Sequence, residues 1–206
     1  MPQVTMQRPA TTTRPAAMRR SPAAVARIAS AAASGDARAW DTLVEEFAGL
    51  VWAVVRAYRL SDADSADVTQ ATWLALVEHL DSLRDAERVG AWLATTARRK
   101  CLKMLRTATR QVPTGDDVPE PTEDVEAAAD LMLEERDAAL WRAVDRLPGR
   151  DRALLRLLVA DPQPSYEEIS AALDMPIGSI GPTRARALER LRAQLAHEGL
   201  ASADMC

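Results

Sequence analysis

The sequence predicts an all-α fold: two small helical domains joined by a flexible acidic linker. Three observations predict it. From Ala23 onward apolar residues recur at three- and four-residue spacing, and no stretch keeps the two-residue period of a strand. Helix-start signals, a Ser with an acid three positions on, occur at Ser61–Asp64 and Ser165–Glu168. A segment over 112–122 with Pro, Asp and Gly has no periodicity and divides the helical pattern in two.

The elements follow in order. Residues 1–22, rich in Thr, Pro, Ala and Arg, have no periodicity and read as a disordered basic tail. No acid precedes Asp36, as in an organelle transit peptide, but a plain tail is the better reading; the apolar stretch of a secretory signal is missing. The first helical domain spans 23–110. Leu43, Val44, Phe47, Leu50, Val51, Val54 and Val55 make one apolar helix face. Ser61 opens a helix running to about Leu80, the loop 81–85 follows, and a basic helix extends from about Glu87 to Thr107. Residues 111–125 form the linker and 126–197 the second domain. Its first helix runs to Leu147, with Leu133, Leu140, Trp141 and Val144 as its face, and Pro148 starts the next, to about Ala160. Asp161-Pro-Gln-Pro164 breaks the pattern, and 198–206 is a tail.

Between that break and the tail lies a helix-turn-helix. Ser165 and Glu168 cap the first helix reciprocally, and Ile169, Ala172 and Leu173 supply its buried face. Asp174 stands at the reversal, where a left-handed backbone is needed and Asp tolerates it. Ser179 is placed to cap the second helix, with Pro182 in its first turn. Ile180, Ala187, Leu188, Leu191 and Leu195 form its buried stripe. Thr183, Arg186 and Arg190 point away from the stripe, and Arg184 projects nearer to it, toward a phosphate. Such a second helix enters the DNA major groove.

Composition bounds the function. The 206 residues hold one large or two small domains, and 48% hydrophobic content suffices for a core. The longest apolar runs are too short to span a bilayer, so no membrane insertion is expected. Two Cys and two His supply neither a disulfide framework nor metal-ligand spacing, as in a reduced cytosolic protein with no metal and no cofactor. No Gly-rich phosphate loop or nucleophile elbow occurs, and the carboxylates do not converge, which speaks against an enzyme; no catalytic residue is assigned. The net charge of −4 and pI near 5.3 conceal two opposed blocks. Arg88, Arg98, Arg99, Lys100, Lys103, Arg106 and Arg110 crowd one segment, and seven acids between Asp116 and Asp130 crowd the next. Screening confines each block to roughly 8 Å at physiological salt, so they act locally.

On the basic helix, Arg88, Trp92, Arg99, Lys103 and Arg106 share one side, and Val89, Leu93, Ala97 and Met104 another. Cations beside an aromatic ring suit single-stranded nucleic acid, phosphates to the cations and an unstacked base to the ring; Trp92 taken alone is better read as core. The helix 62–80 is apolar nearly all round, leaving a strip of Asp64, Asp67, Gln70 and Glu78 that on chemistry alone is merely solvated.

Three stretches resemble bacterial sigma factors of the extracytoplasmic-function class. Asp64-Ser-Ala-Asp-Val-Thr-Gln-Ala-Thr-Trp-Leu-Ala-Leu76 is similar to the family's core-polymerase-binding helix. Ala91-Trp-Leu-Ala-Thr-Thr-Ala-Arg-Arg-Lys-Cys-Leu-Lys-Met-Leu-Arg106 is similar to its promoter-melting helix, and Leu147-Pro-Gly-Arg-Asp-Arg152 with the helix-turn-helix to its C-terminal domain. The resemblance implies that Asp64, Asp67, Gln70 and Leu74 bind core polymerase at the large-subunit clamp helices, with the flap as a further contact. It implies −10 DNA binding by Arg84, Arg88, Trp92, Arg98, Arg99, Lys103 and Arg106, the loop 83–90 capturing a flipped base. It implies −35 binding by Ser179, Thr183, Arg184, Arg186 and Arg190. Arg99 and Lys103 replace frequent Asn and Asp, making this melting helix unusually basic. Gly181, Pro182 and Thr183 replace the frequent Lys-Ser-Arg, which shifts weight to Arg184, Arg186 and Arg190. The family's partners are RNA polymerase core, promoter DNA and, typically, an anti-sigma factor; its place is the cytoplasm, at the nucleoid. The alternative is a helix-turn-helix regulator that binds duplex operator DNA without polymerase, its N-terminal helical domain taking a signal or partner.

Overall fold

The computed structural model describes residues 20–111 and 139–197, and every described regular element is helical. Both tails, the linker beyond Gln111 and the expected helix start near Glu126 lie outside the described residues. Helix α1 spans Pro22–Ala33, with Pro at its first position and the Ser21 hydroxyl accepting from the Ala24 amide. Gly35 turns the chain at φ 92°, and Asp36 caps α2, Ala37–Ala57, accepting from the amides of Arg38 and Ala39. Ser61 caps α3, Asp62–His79, through the Asp64 amide. The Asp64 carboxylate accepts from the Ser61 hydroxyl at 2.7 Å, tightening the same first turn.

A 3₁₀ turn, Leu80–Ser82, ends α3, and a second, Ala86–Arg88, runs directly into α4, Val89–Gln111. The basic helix therefore begins two residues later than the sequence predicts, because Asp85 caps the 3₁₀ turn through the Glu87 amide. In the C-terminal part, a helical stretch over 139–145 (α5) precedes α6, Gly149–Leu158. Ala139, Ala143 and Val144 are its buried residues, and Leu147, just beyond it, is buried too. Leu140 and Trp141, expected on that face, are instead exposed, and Trp141 lies under the Arg156 guanidinium at 5.4 Å.

Helix α7, Tyr166–Leu173, has the expected capping box: Ser165 Oγ accepts from the Glu168 amide and Glu168 accepts from the Ser165 amide at 2.7 Å. Asp174 takes the left-handed conformation, φ 53° and ψ 56°, that the turn requires. Helix α8 is Ile177–His197. It starts two residues before Ser179, so Ser179 is not its cap; the Ser179 hydroxyl donates to the Pro176 carbonyl. Pro182 consequently falls at the sixth helical position rather than in the first turn.

The helical blocks on either side of the linker pack together. Phe47, Leu50, Val51, Val54 and Val55 of α2 and Val89, Leu93, Ala94, Ala97 and Cys101 of α4 form one buried cluster with Leu154 and Leu157 of α6. Ile169 and Ala172 of α7, Met175 and Ile180 of α8 complete it. Leu155, on the opposite side of α6, belongs to a smaller cluster with Ala143, Val144, Leu147, Ala187 and Leu191. Each fully buried Leu or Ile in these clusters contributes on the order of 1.5–3 kcal/mol. Tyr58 ties the blocks further, its hydroxyl donating to the Ala172 carbonyl at 2.8 Å.

Two predictions test this packing. Ser165→Ala removes the α7 cap and should destabilise the chain by about 1 kcal/mol, read from the urea unfolding midpoint. Burial pushes the Cys101 thiol up, from 9.0 to about 12. A value raised on folding means the protonated thiol is favoured in the folded state. Its contribution is complete below pH 9 and is lost as pH rises from 9 through 12. The urea midpoint should therefore fall between pH 8 and 10.5, and fall less in Cys101→Ala; equal falls in both chains contradict the assignment.

Candidate nucleic-acid interface

The residues expected to meet the −10 element all lie on α4 and the approach to it. Helical spacing buries Val89, Leu93, Ala94 and Ala97, which forces the intervening cations outward. Arg84, Arg88, Arg99, Lys103 and Arg106 are exposed, and Arg98 is partly covered. Trp92 is half-buried: one side packs on the core, and its ring lies 6.2 Å from that of His79 at a tilt of 37°. The core reading of Trp92 holds in part, since the ring packs on the core and stays partly exposed.

Arg84, Arg88, Trp92, Arg98 and Arg99 line a cleft of about 800 Å³, whose opposite wall comes from α7 and the turn after it. That wall is acidic. Glu167 pairs with Arg88, and the Asp174 carboxylate accepts from Arg98 Nη2 at 2.8 Å. Lys103 and Arg106 lie further along α4 and do not line the cleft. The sequence pointed to Asp174 as a turn former and Glu167 not at all; nothing local marks a surface acid as the partner of an arginine 79 positions away.

On α8 the outcome is mixed. Arg184, Arg186 and Arg190 are exposed, as expected. Thr183 is not: it is 7% exposed, because it stands three residues after Ile180 and four before Ala187, on the buried stripe. Its hydroxyl accepts from Arg186 Nη2 at 3.3 Å, so it steadies that arginine rather than facing a groove. Ser179 is half-buried and bound to the Pro176 carbonyl, so its hydroxyl is spent locally. Arg190 pairs with Asp151 of α6, a carboxylate with a side chain only 8% exposed; a buried carboxylate demands such a partner. Asp151 was not singled out in the sequence, and its place one turn into an amphipathic helix gave no warning.

The strip on α3 is Asp67, Gln70, Leu74 and Val77, spaced 3, 4 and 3 residues, all exposed. Asp64 at its head is partly covered. Leu74 is 57% and Val77 59% exposed, two large apolar side chains that no element among the described residues covers. Val77 was missed because an all-round apolar helix does not reveal which apolar side stays open.

Among the described residues no group of three or more His, Cys, Asp or Glu is placed to hold a metal ion. No described helix is long and apolar enough to cross a membrane.

Comparison with known proteins gives this geometry its context. Residues 43–111, which include most of α2 with α3 and α4, match the Sigma-70 region 2 family model. The chain is 29% identical over 167 residues to the ECF RNA polymerase sigma-E factor of Escherichia coli K12, covering 76% of this chain and 86% of that one. It is 31% identical over 181 residues to the ECF RNA polymerase sigma factor SigE of Mycolicibacterium smegmatis, covering 80% of this chain and 65% of the relative. The fold is similar to that of CnrH in complex with the cytosolic domain of CnrY, at 22% identity and TM-score 0.59, covering 84% of this chain and 98% of the other. It is also similar to RpoE of Bartonella quintana in complex with the anti-sigma factor NepR, at 20% identity and TM-score 0.54, covering 76% and 96%. The region 2 match lies over the helices that carry the basic face, and over most of its length this chain is similar to RNA polymerase sigma factors of the extracytoplasmic-function class.

Proposed function

We propose that this chain acts in the cytoplasm as a dissociable, non-enzymatic initiation subunit that binds RNA polymerase core and directs it to a subset of promoters. The observation that carries this reading is α4: a cationic flank beside a half-buried tryptophan, inside the segment that matches region 2. In the proposed complex Arg88, Arg98, Arg99 and Lys103 neutralise phosphates of the non-template strand, and Trp92 with the 83–90 loop receives an unstacked base. Arg184, Arg186 and Arg190 approach the −35 duplex, and Asp64, Asp67, Gln70 and Leu74 meet the polymerase clamp helices, a reading supported by the likeness of this segment to the family's core-binding helix. Val77 extends that docking strip.

The operator-binding alternative draws no support from the N-terminal helices, because the region 2 match takes up most of α2 with α3 and α4 and leaves only α1 and the start of α2 before it among the described residues. An anti-sigma partner is in keeping with the complexes seen for CnrH and for the Bartonella RpoE.

Run-off transcription with bacterial core polymerase, this protein and its own upstream region tests the proposal. A defined transcript should depend on the protein and drop at least about tenfold with Arg88, Arg99 and Lys103 all changed to Ala, the loss expected when about 1.4 kcal/mol of strand contact is removed. Tight, salt-sensitive duplex binding by the protein alone, with no transcript, would point to the operator-binding regulator. For the docking strip, Leu74→Glu with Val77→Glu should abolish core binding in a pull-down while leaving the circular dichroism spectrum unchanged, since both positions are exposed.

A further inference from the structure

His79 ends α3 beside Trp92, and two contacts hold its ring while leaving one nitrogen unused. The imidazole lies 6.2 Å from the Trp92 ring, centroid to centroid, at a tilt of 37°. Its Nδ1 stands 2.9 Å from the Ala75 carbonyl, one turn back along α3. A carbonyl oxygen only accepts, so Nδ1 carries the hydrogen and donates it, as a histidine near a helix C-terminus does toward the last carbonyls. In the neutral ring that bond fixes the tautomer and makes Nε2 a bare acceptor. The side chain is exposed, and among the described residues nothing donates to Nε2. The mount is also tied from below. The Ser82 hydroxyl donates to the His79 carbonyl at 2.9 Å, closing the 3₁₀ turn that leads into the 83–90 loop. Helix capping accounts for Nδ1 and leaves the contact with Trp92 and the open Nε2 without a use.

We infer that His79 Nε2 reads the base that unstacks against Trp92, accepting from its exocyclic amino group and so favouring adenine or cytosine over thymine. This deepens the strand-binding reading of α4 given above and rests on it. Adenine N6 and cytosine N4 are donors, whereas thymine presents the O4 acceptor at the corresponding corner. An acceptor on the protein bonds the amino group and meets a lone pair at the carbonyl. Thymine's own N–H lies between two carbonyl oxygens, which an approaching nitrogen must pass. The cations of α4 make no such distinction, because every nucleotide carries the phosphate they bind. Stacking on Trp92 makes none either, since an aromatic face accepts any base. The edge that His79 would read is occupied by pairing in a duplex and becomes free only in an extruded base. His79 therefore adds base discrimination to a surface whose other groups supply affinity alone.

The test uses the full chain bound to bacterial core polymerase, with core alone as the blank. Fluorescence anisotropy measures affinity for two labelled single-stranded oligodeoxynucleotides, thymine runs carrying one central cytosine or one central uracil. These bases differ only along the edge in question. The parent should prefer the cytosine strand by about fivefold, the scale of a single neutral hydrogen bond. His79→Phe keeps a ring against Trp92 and removes the acceptor, so cytosine affinity should fall to the uracil value while uracil affinity holds. His79→Gln, whose amide carbonyl also accepts, should recover part of the preference. A cytosine preference that survives in His79→Phe overturns the assignment, and so does an equal loss on both strands, which marks a structural role. Equal affinities in the parent overturn base reading and leave strand binding standing. A parent that binds neither strand beyond the blank sinks the strand-binding reading and this inference together.

Discussion

The burial of one apolar stripe organises this molecule. Leu154 and Leu157 of α6, Ile169 and Ala172 of α7, and Ile180 of α8 enter the same core as Val51, Leu93 and Ala97. A short helix such as α7, eight residues long, is not stable by itself and needs an apolar face on which to lie. Here α2 and α4 provide it, and everything on the outer surface takes its position from that contact. The alignment of Glu167 with Arg88, of Asp174 with Arg98, and the 800 Å³ cleft between α4 and α7 all follow from where the stripe is seated.

The electrostatics sit on top of this arrangement and do not create it. Exposed ion pairs contribute little to stability, roughly 0–1 kcal/mol each. Their effect here is on access: they decide which cations remain available to an approaching anion. Lys103 and Arg106 remain outside the cleft, whereas Arg88 and Arg98 are engaged within it. The overall charge of −4 describes neither condition. Charge patterning along the sequence identifies the basic helix, and the packing determines how much of it is in use.

Local physics was legible in the sequence where a residue acts on its own turn. Ser61, Ser165 with Glu168, and Asp174 do what their side chains dictate within four residues, and the apolar spacing of α2 and α4 fixes their buried sides. The start of α8 was displaced because Met175 and Pro176 end the turn early, leaving Ser179 inside the helix; Thr183 was misjudged separately, since its spacing from Ile180 and Ala187 puts it on the buried stripe. What the sequence did not disclose is long-range pairing. Arg190 with Asp151, Arg88 with Glu167 and Tyr58 with the Ala172 carbonyl join positions 39 to 114 residues apart, and no periodicity encodes such a match. Gly49 and Gly90 were available signals, since glycine inside a helix calls for a reason: a Cβ would meet the Pro162 ring at Gly49 and the Glu168 carboxylate at Gly90.

Helix α6 has a particular consequence. Its ten residues present Leu154 and Leu157 to one cluster and Leu155 to another, while Asp151 reaches the α8 arginine and Arg156 reaches both Asp145 and Trp141. Its different sides answer to different neighbours. A rotation of this rod by a fraction of a turn would be felt at once by the large core and by the arginines of α8. It is the shaft that joins two bearings, so the N-terminal helices and the arginine-bearing stretch of α8 share a mechanical link only three turns long.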